Sequence, residues 1–506
     1  MRSTFHTLET AKRSLFTQQA AINTVGHNIA NANTEGYSRQ IVKMAAARPI
    51  EAYGMSRSVA AGQLGTGVEF TSIERVRISF LDDQFRNQSK YLGSWSVQSD
   101  TLEKLEAVVN EPSDTGIRSV LDKFWNSWSD LSKDPENITG RKIVRENALA
   151  LTDSFNQVSK QLQDLNADLT SNIEVKATQI NTMLSTISSL NNEINRIEGL
   201  GDHANDLRDQ RDLLTDQLSQ IVNIQAAEGA QGYTITMGGQ VLVQGVNVAP
   251  VTAASLEAAY TSGALNNGEV FGMIVSRDIY VKEYQQQLDT LANTLANGEF
   301  EITMPAGSTI PGEAAPLTAP RVITVNGING LHKLGYTLES PAKAGLDFFT
   351  FKNGAAGITA SSIQVNPEIV SDSNKIATSA RVENGETVKG NNTLALLMAE
   401  LRDVKFKFDE TAIGGSISSA TISDNYNAMV GSLGVQAQEA KRQATNSKAQ
   451  VDLVNSNRES VSGVSLDEEM SELIRFQHAY SAAARIMTTF DQMLEKLING
   501  TGVVGR

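Results

Sequence analysis

The sequence predicts a mainly α protein with an inserted β module, and three observations carry that expectation. Apolar residues recur at heptad spacing at both ends of the 506-residue chain. A third periodic stretch lies between Asp134-Pro135 and Gly199-Leu200-Gly201, and with 10 prolines in the whole chain long helices meet few interruptions. From about 301 to 390 the helical period ceases, Gly and Pro become frequent and alternating segments take over. At roughly 150 residues per domain, the length fits three parts. Residues 1–60 with 456–506 form a terminal coiled-coil domain, 61–300 with 391–455 a helical domain, and 301–390 an inserted β domain.

The first helix is read from Leu8, Ala11, Leu15, Ile22, Val25 and Ile29, which step by threes and fours with Gln18 as the one break. It runs into Gly26-His27-Asn28-Ile29-Ala30-Asn31-Ala32-Asn33-Thr34-Glu35-Gly36-Tyr37. Asn and Gly tolerate left-handed angles, so a tight turn is expected at Thr34 to Gly36. In the middle, Phe155, Leu162, Leu169, Met183, Leu190 and Ile197 are joined by Val158, Leu165, Ile173, Ile180, Ile187 and Ile194, with Lys176 interrupting. That pattern describes a rod of about 90 Å at 1.5 Å per residue. A second helix follows at Asn205 to Ile221, a hairpin at 232–245 and another helix near Arg277 to Ala296.

Arg321 to Val325 and Phe348 to Phe351 read as strands, and helix resumes near Thr393 with a Gly/Ser break at 414–420. The last segment is the most regular. Leu466, Leu473, Tyr480, Met487 and Leu494 lie seven apart, and Phe476, Ala483, Phe490 and Leu497 stand three residues after the last four of them. Ser465 and Glu468 have capping-box spacing, and Gly500 ends the run. Residues 1–60 carry seven Lys/Arg against three Asp/Glu, and 456–506 carry five against seven. Ends of opposite sign suit pairing with each other, which closes the fold, or with neighbouring copies.

Composition excludes several chemistries. A net charge of -14 opposes nucleic-acid binding, which needs surplus Lys and Arg. With no cysteine, thiol nucleophiles, disulfides and thiolate metal sites are ruled out. The first residues lack an apolar signal core, and no stretch reaches the ~18 apolar residues of a membrane span, so neither a cleaved signal nor membrane insertion is expected.

Candidate catalytic groups are sparse. His6, His27, His203, His332 and His478 include no i, i+4 pair of metal ligands. Gly62, Gly65 and Gly67 do not sit between a clear strand and a clear helix, as a phosphate loop would. Ser340 and Lys343 match a Ser-x-x-Lys spacing without its companion elements. The carboxylate pairs Asp82-Asp83 and Glu468-Glu469 read as solvated helix faces, and His27 as a hydrogen-bonding residue at a helix end. No catalytic, cofactor-binding or metal-ligating residue is assigned, and an enzyme is not expected.

The string Asn28 to Tyr37 resembles the signature of bacterial flagellar rod, hook and hook-associated proteins, and Ser38-Arg39-Gln40 resembles the hook-filament junction branch of that family. Asn205-Asp206-Leu207-Arg208-Asp209-Gln210-Arg211-Asp212-Leu213-Leu214 is similar to the helical-domain motif of that branch. Ile358 to Ile369 with Lys375-Ile376-Ala377-Thr378-Ser379, and Ser462-Gly463-Val464-Ser465-Leu466-Asp467-Glu468-Glu469-Met470 onward through Tyr480, are similar to its later segments. Gly390-Asn391-Asn392 departs from the usual Gly-Asp-Asn, and 301–347 match no motif.

The resemblance implies a structural junction protein whose β domain faces outward. It also implies self-association in a ring, with hook protein on one side and the second hook-filament junction protein on the other. A cytoplasmic export chaperone would cover the C-terminal helix, and type III export would deliver the chain to the flagellum outside the cell. The assembly seam would comprise Leu8, Leu15, Ile22 and Ile29 with Leu466, Leu473, Phe476, Tyr480, Met487, Phe490 and Leu494. The motif residues would be Asn28, Asn31, Asn33, Gly36, Tyr37, Arg39 and Gln40, with Tyr37 and Arg39 fixing the turn. The alternatives are another axial subunit, hook or distal rod, or an axial scaffold with an enzymatic insert at 301–390.

Overall fold

The computed structural model describes residues 5–49, 65–110, 113, 116–229, 232–313, 315–352, 354–408 and 419–500. It is mainly helical with small antiparallel sheets, as the periodicities require. In chain order come α1 (His6–Ala30), β1 (Gln40–Ala46), β2 (Val68–Arg75), α2 (Ser79–Val109), α3 (Ile117–Lys133), α4 (Ile138–Glu198) and α5 (Asn205–Ile221). Next are β3 (Ile224–Gly229), β4 (Gly232–Met237), β5 (Gln240–Gln244), β6 (Asn247–Val248), α6 (Ala253–Thr261), α7 (Glu269–Val275) and α8 (Lys282–Asn297). Then follow β7 (Glu299–Met304), β8 (Arg321–Asn326), α9 (Gly327–Lys333), β9 (Phe349–Phe351), β10 (Ile363–Val365), α10 (Pro367–Ser371), β11 (Val382–Glu383) and β12 (Glu386–Thr387). The last are α11 (Thr393–Glu400), β13 (Phe406–Lys407), β14 (Ser419–Ala420), α12 (Ile422–Ser462) and α13 (Leu466–Gly500). Most of the Gly/Ser break expected at 414–420 lies outside the described residues.

The chain divides into two compact units. The first is Met1–Gly93, Lys176–Gly268 and Asn446–Arg506. Here α1 packs against α13 and against both strands of the β1–β2 hairpin. The hairpin expected at 232–245 is β4–β5, extended on either side into a four-stranded sheet ordered β3-β4-β5-β6. Its turn is Gly238-Gly239, with φ of +54° and +88°, and a Cβ on Gly238 would lie 2.4 Å from Ala264. Both the angle and the space demand glycine.

The second unit is Ser94–Val175 and Glu269–Thr445. Its core gathers Phe124, Trp125 and Trp128 of α3 around Phe348 and Phe349, with Phe348 lying 6.1 Å from Phe124 and 5.7 Å from Trp128, centroid to centroid. Two local expectations change. The helix expected from Arg277 begins at Glu269 and passes through a π-helical stretch, Ser276–Val281. Both ends of that stretch are buried, because residues five apart leave the same face in an α-helix and keep it in a π turn. The segment 301–390 also holds α9 and α10, helices of 7 and 5 residues too short to register as a period.

His332 of α9 is fully enclosed in this unit, stacked edge-on at 5.4 Å from Phe348. Its Nε2 accepts from Ala377 N at 2.8 Å, so the ring proton sits on Nδ1, which donates to Leu346 O. Burial, opposed by the bond to Leu346 and reinforced by Arg141, depresses its pKa from 6.5 to about 4. The unfolded chain therefore binds a proton before the folded chain does. The stabilisation is complete above about 6.5 and declines as pH falls toward about 4, by on the order of 3 kcal/mol in all. In an NMR titration of the five histidine rings, that of His332 should stay neutral until the pH approaches 4. A midpoint near 6.5 would contradict the enclosed tautomer.

Candidate functional site

The chain ends meet at a joint in the first unit. α12 stops at Ser462, α13 starts at Leu466, and the loop after α1 lies alongside, with Arg39 N donating to Ser462 O at 2.8 Å. The loop turns where the sequence requires it. Tyr37 N donates to Thr34 O at 3.2 Å, and Gly36 has φ +77° with Leu213 of α5 only 3.0 Å from where a Cβ would stand.

Four motif residues converge here. Buried Asn28 donates through Nδ2 to Gln40 O at 2.9 Å and to Glu469 Oε2 at 3.0 Å, while its Oδ1 accepts from Tyr37 OH at 2.8 Å and Gln40 N at 3.0 Å. All four bonding positions of the amide are filled. Arg39 spans two carboxylates, donating through Nε to Glu469 Oε1 at 2.6 Å and through Nη1 to Glu468 Oε2 at 2.9 Å. Burial, with Asp206, Asp209 and Glu469 nearby, pushes the Tyr37 hydroxyl well above its ordinary pKa and keeps it a donor. The other motif residues serve the turn or stand apart. Asn31 donates to His27 O at 3.1 Å and accepts from Thr34 Oγ1 at 3.2 Å, and Asn33 is exposed.

The Ser38-Arg39-Gln40 continuation reaches α5. Ser38 donates to Asp209 through its amide at 2.9 Å and its hydroxyl at 2.8 Å, and Gln40 Nε2 donates to Asp206 Oδ1 at 2.7 Å. Two motifs far apart in sequence are thus complementary partners. Asp206, Asp209, Asp212 and Asp216 lie on one face of α5 by their spacing of three, three and four. Arg75 Nη1 lies 2.6 Å from Asp209 and 3.0 Å from Asp212, Arg86 Nε 2.7 Å from Asp216, and Arg458 Nη1 2.5 Å from Asp216. Arg77 Nε binds Asp82 at 2.7 Å. Burial works against the charge on Asp212, but Arg77, Arg75, Arg211 and Arg86 overcome it and hold its pKa below the ordinary value. Its contribution is thus present above the usual carboxylate range and lost as pH falls through its lowered pKa.

Two carboxylate pairs expected to be solvated are split by the fold. Asp83 and Glu468 are exposed, while Asp82 and Glu469 are buried in arginine contacts. Helical periodicity places neighbours about a quarter-turn apart, so adjacent residues need not share an environment. Arg75, Arg86 and Arg458 escaped sequence reading because their partners on α5 lie more than 100 residues away, and Arg77 because its partner Asp82, though five residues off, stands across the start of α2. Glu469 left a signal, for it occupies the one vacant place in the stripe of Phe476, Ala483, Phe490 and Leu497.

Along the helix pair, Leu8, Leu15, Ile22 and Ile29 are half-buried, while Ala11, Thr17, Ala21, Thr24, Val25 and Asn28 are the enclosed residues of α1. On α13, Leu473, Phe476, Tyr480, Met487, Phe490 and Leu494 are half-buried, Leu466 is exposed, and the buried residues are Glu469 and Ala483. Met470, Ile474, Ile486, Met493, Leu497 and Ile498 are exposed on α13, as are Phe5 and Phe16 at the other chain end. Outside the joint, Ser340 donates to Glu386 at 2.7 Å and Lys343 to Glu339 at 3.0 Å, so neither activates the other. His27 lies 3.3 Å from Asp206 and edge-on to Tyr37.

Known proteins share this organisation. Residues 8–37 match the family model described as flagella basal body rod protein, and 456–500 the flagellar basal body rod FlgEFG protein C-terminal model. These matches place the chain ends among flagellar axial proteins. Residues 102–299 match the flagellar hook-associated protein FlgK helical domain. Flagellar hook-associated protein 1 of Bacillus subtilis (strain 168) is 34% identical over 100% of both chains. That of Escherichia coli (strain K12) is 25% identical over 97% of this chain and 99% of its own. The flagellar hook junction protein FlgK from Burkholderia pseudomallei, 13% identical, has the same fold at a TM-score of 0.53 over 75% of this chain and 100% of its own. The chain belongs to the flagellar hook-associated protein 1 (FlgK) family, structural proteins of the bacterial hook–filament junction.

The acid face of α5 is directly testable. Asp209→Ala removes the acceptor of the Ser38 amide and hydroxyl and one of the two carboxylates of Arg75, which keeps Asp212, and should cost about 1–3 kcal/mol in urea unfolding. Asp83→Ala, on the exposed side of its pair, should change stability by less than about 0.5 kcal/mol.

Proposed function

We propose that residues 1–60 and 456–506 act as one assembly domain, which joins hook to filament by packing with the same domain of sister copies in a ring. The observation that carries this reading is the burial of α13. Among its 35 residues only Glu469 and Ala483 are buried, although most of its stripe is Leu, Ile, Met or Phe. Fully burying such a side chain is worth about 1.5–3 kcal/mol, so the half-covered stripes and exposed Ile486, Met493 and Leu497 leave a large gain for neighbours to realise.

On this reading hook protein packs on one side of the ring and the second junction protein on the other. An export chaperone covers α13 in the cytoplasm, where its apolar surface would otherwise associate. The cysteine-free chain has no disulfide to impede unfolded passage through the flagellar type III channel to the outside. The segment 301–390 serves as an outer β domain without catalysis.

A strain lacking the protein should build hooks of normal length, carry no filaments and release flagellin into the medium. Missing hooks would assign it instead to the hook or distal rod. Ile486→Asp with Leu497→Asp, both at exposed positions, should leave the melting temperature of the purified chain within about 2 °C and abolish motility. Hydrogen exchange in that chain should be fast in the turns of α13 beyond Ala483 and slow in the middle of α4. Protection of those turns in the free chain would contradict their being ordered by sister copies.

A further inference from the structure

The apolar stripe of α13 is indifferent to its partner. Leu473, Tyr480, Met487 and Leu494, with Phe476, Ala483, Phe490 and Leu497, would bury as well against a second α13 as against α1. Any assembly that gathers many copies brings such helices together, so pairing between two α13 helices is the competitor.

Glu469 removes the indifference. It stands seven residues before Phe476, in the stripe itself, and is 1% exposed. Its two oxygens are met by Asn28 Nδ2 and Arg39 Nε, both from the segment that carries α1. A second α13 offers nothing equivalent. In a parallel pair Glu469 would face its own copy beside Glu468 and Glu472, and in an antiparallel pair it would face Leu494 and Leu497, with Lys496 on the flank outside the stripe. Neither arrangement places a donor in the stripe for the buried carboxylate, a cost that the apolar contacts would have to offset.

We propose that Glu469 is the specificity-determining residue of the assembly pair: it admits the α1 side as the partner of α13 and keeps α13 helices from pairing with one another. The proposal rests on reading α1 and α13 as the assembly pair, and it adds the rule by which that pair is chosen.

The absence of cysteine makes the test clean. Ala483 is the midpoint of Leu466–Gly500, so Ala483→Cys lies opposite its own copy in a parallel or a centred antiparallel pair of α13 helices. Disulfide-linked dimers of the full-length chain, oxidised at micromolar concentration and counted on non-reducing gels, report that pairing. Adding Glu469→Leu should raise the dimer yield at least fivefold. Asn28→Ala with Arg39→Ala frees α13 but retains Glu469, and should raise it less than twofold. No rise with Glu469→Leu, or an equal rise with the double variant, would overturn the proposal, the latter by showing that release of the helix is sufficient. If Glu469→Leu fails to fold by circular dichroism, Glu469→Gln replaces it, with a rise of at least twofold expected and an unchanged yield refuting. The readout needs no ring, so its failure is distinct from failure of the assembly reading, which the exposed-face substitutions test.

Discussion

The contact of Asn28 and Arg39 with Glu469 is the constraint from which the rest of the terminal pair follows. One helix laid against one helix covers a stripe and leaves its flanks in water, and α1–α13 is such a pair with a two-stranded hairpin behind α1. Apolar contact alone would allow α13 many partners. A carboxylate placed in the stripe, with an amide and a guanidinium waiting for it, gives the pair a defined place of contact. Asn28 also binds Gln40 and Tyr37, so the same amide holds helix, turn and strand together.

The joint in turn leans on α5. Four aspartates on one helix face are tolerable because Arg75, Arg86 and Arg458 approach within 3.0 Å and Ser38 supplies two further donors to Asp209. Arg75 spans two aspartates and Asp216 meets two arginines, so the charges are shared across the network, which makes it costly to dismantle and poor at adopting alternatives. Gly36 permits the approach, since a side chain there would meet Leu213. The loop motif and the α5 motif, separated by more than 160 residues, are two halves of one interface.

Long elements were legible in the sequence because their signal accumulates. The rod read between Asp134 and Gly199 is α4 at Ile138–Glu198, and the heptads after Ser465 are α13. Short elements were not. The helices α9 and α10 are two turns or fewer, and the β1–β2 pairing joins strands 21 residues apart. At the site, the motif residues were legible as a string, but their partners were not, since Arg39 meets carboxylates 429 and 430 residues away. The error over Asp82 and Glu469 has the same origin. A charged residue in a helix reads as solvated unless its counter-ion is known; that of Glu469 comes from a distant segment, and that of Asp82 from Arg77, outside the helix and so outside its period.

The polar anchor of α13 is confined to its first turns, and that placement links stability to function. At its first turns the helix is held by Glu468 and Glu469, whose partners belong to the same chain and are satisfied before any neighbour arrives. Exposed large apolar residues run the length of the helix, from Leu466, Met470 and Ile474 to Ile486, Met493, Leu497 and Ile498, the last of them 77% exposed. Directional bonds, which demand one geometry, lie where the geometry is set by the joint, and non-directional apolar surface continues along the exposed face beyond it. A helix built in the opposite order would be pinned at its free end and loose at the joint, and its apolar stripe would have no fixed orientation to offer a neighbour. The joint therefore supplies orientation and the exposed apolar face supplies the unrealised burial, and beyond Ala483 that face lies turns away from the joint's bonds, where it can be altered without touching them.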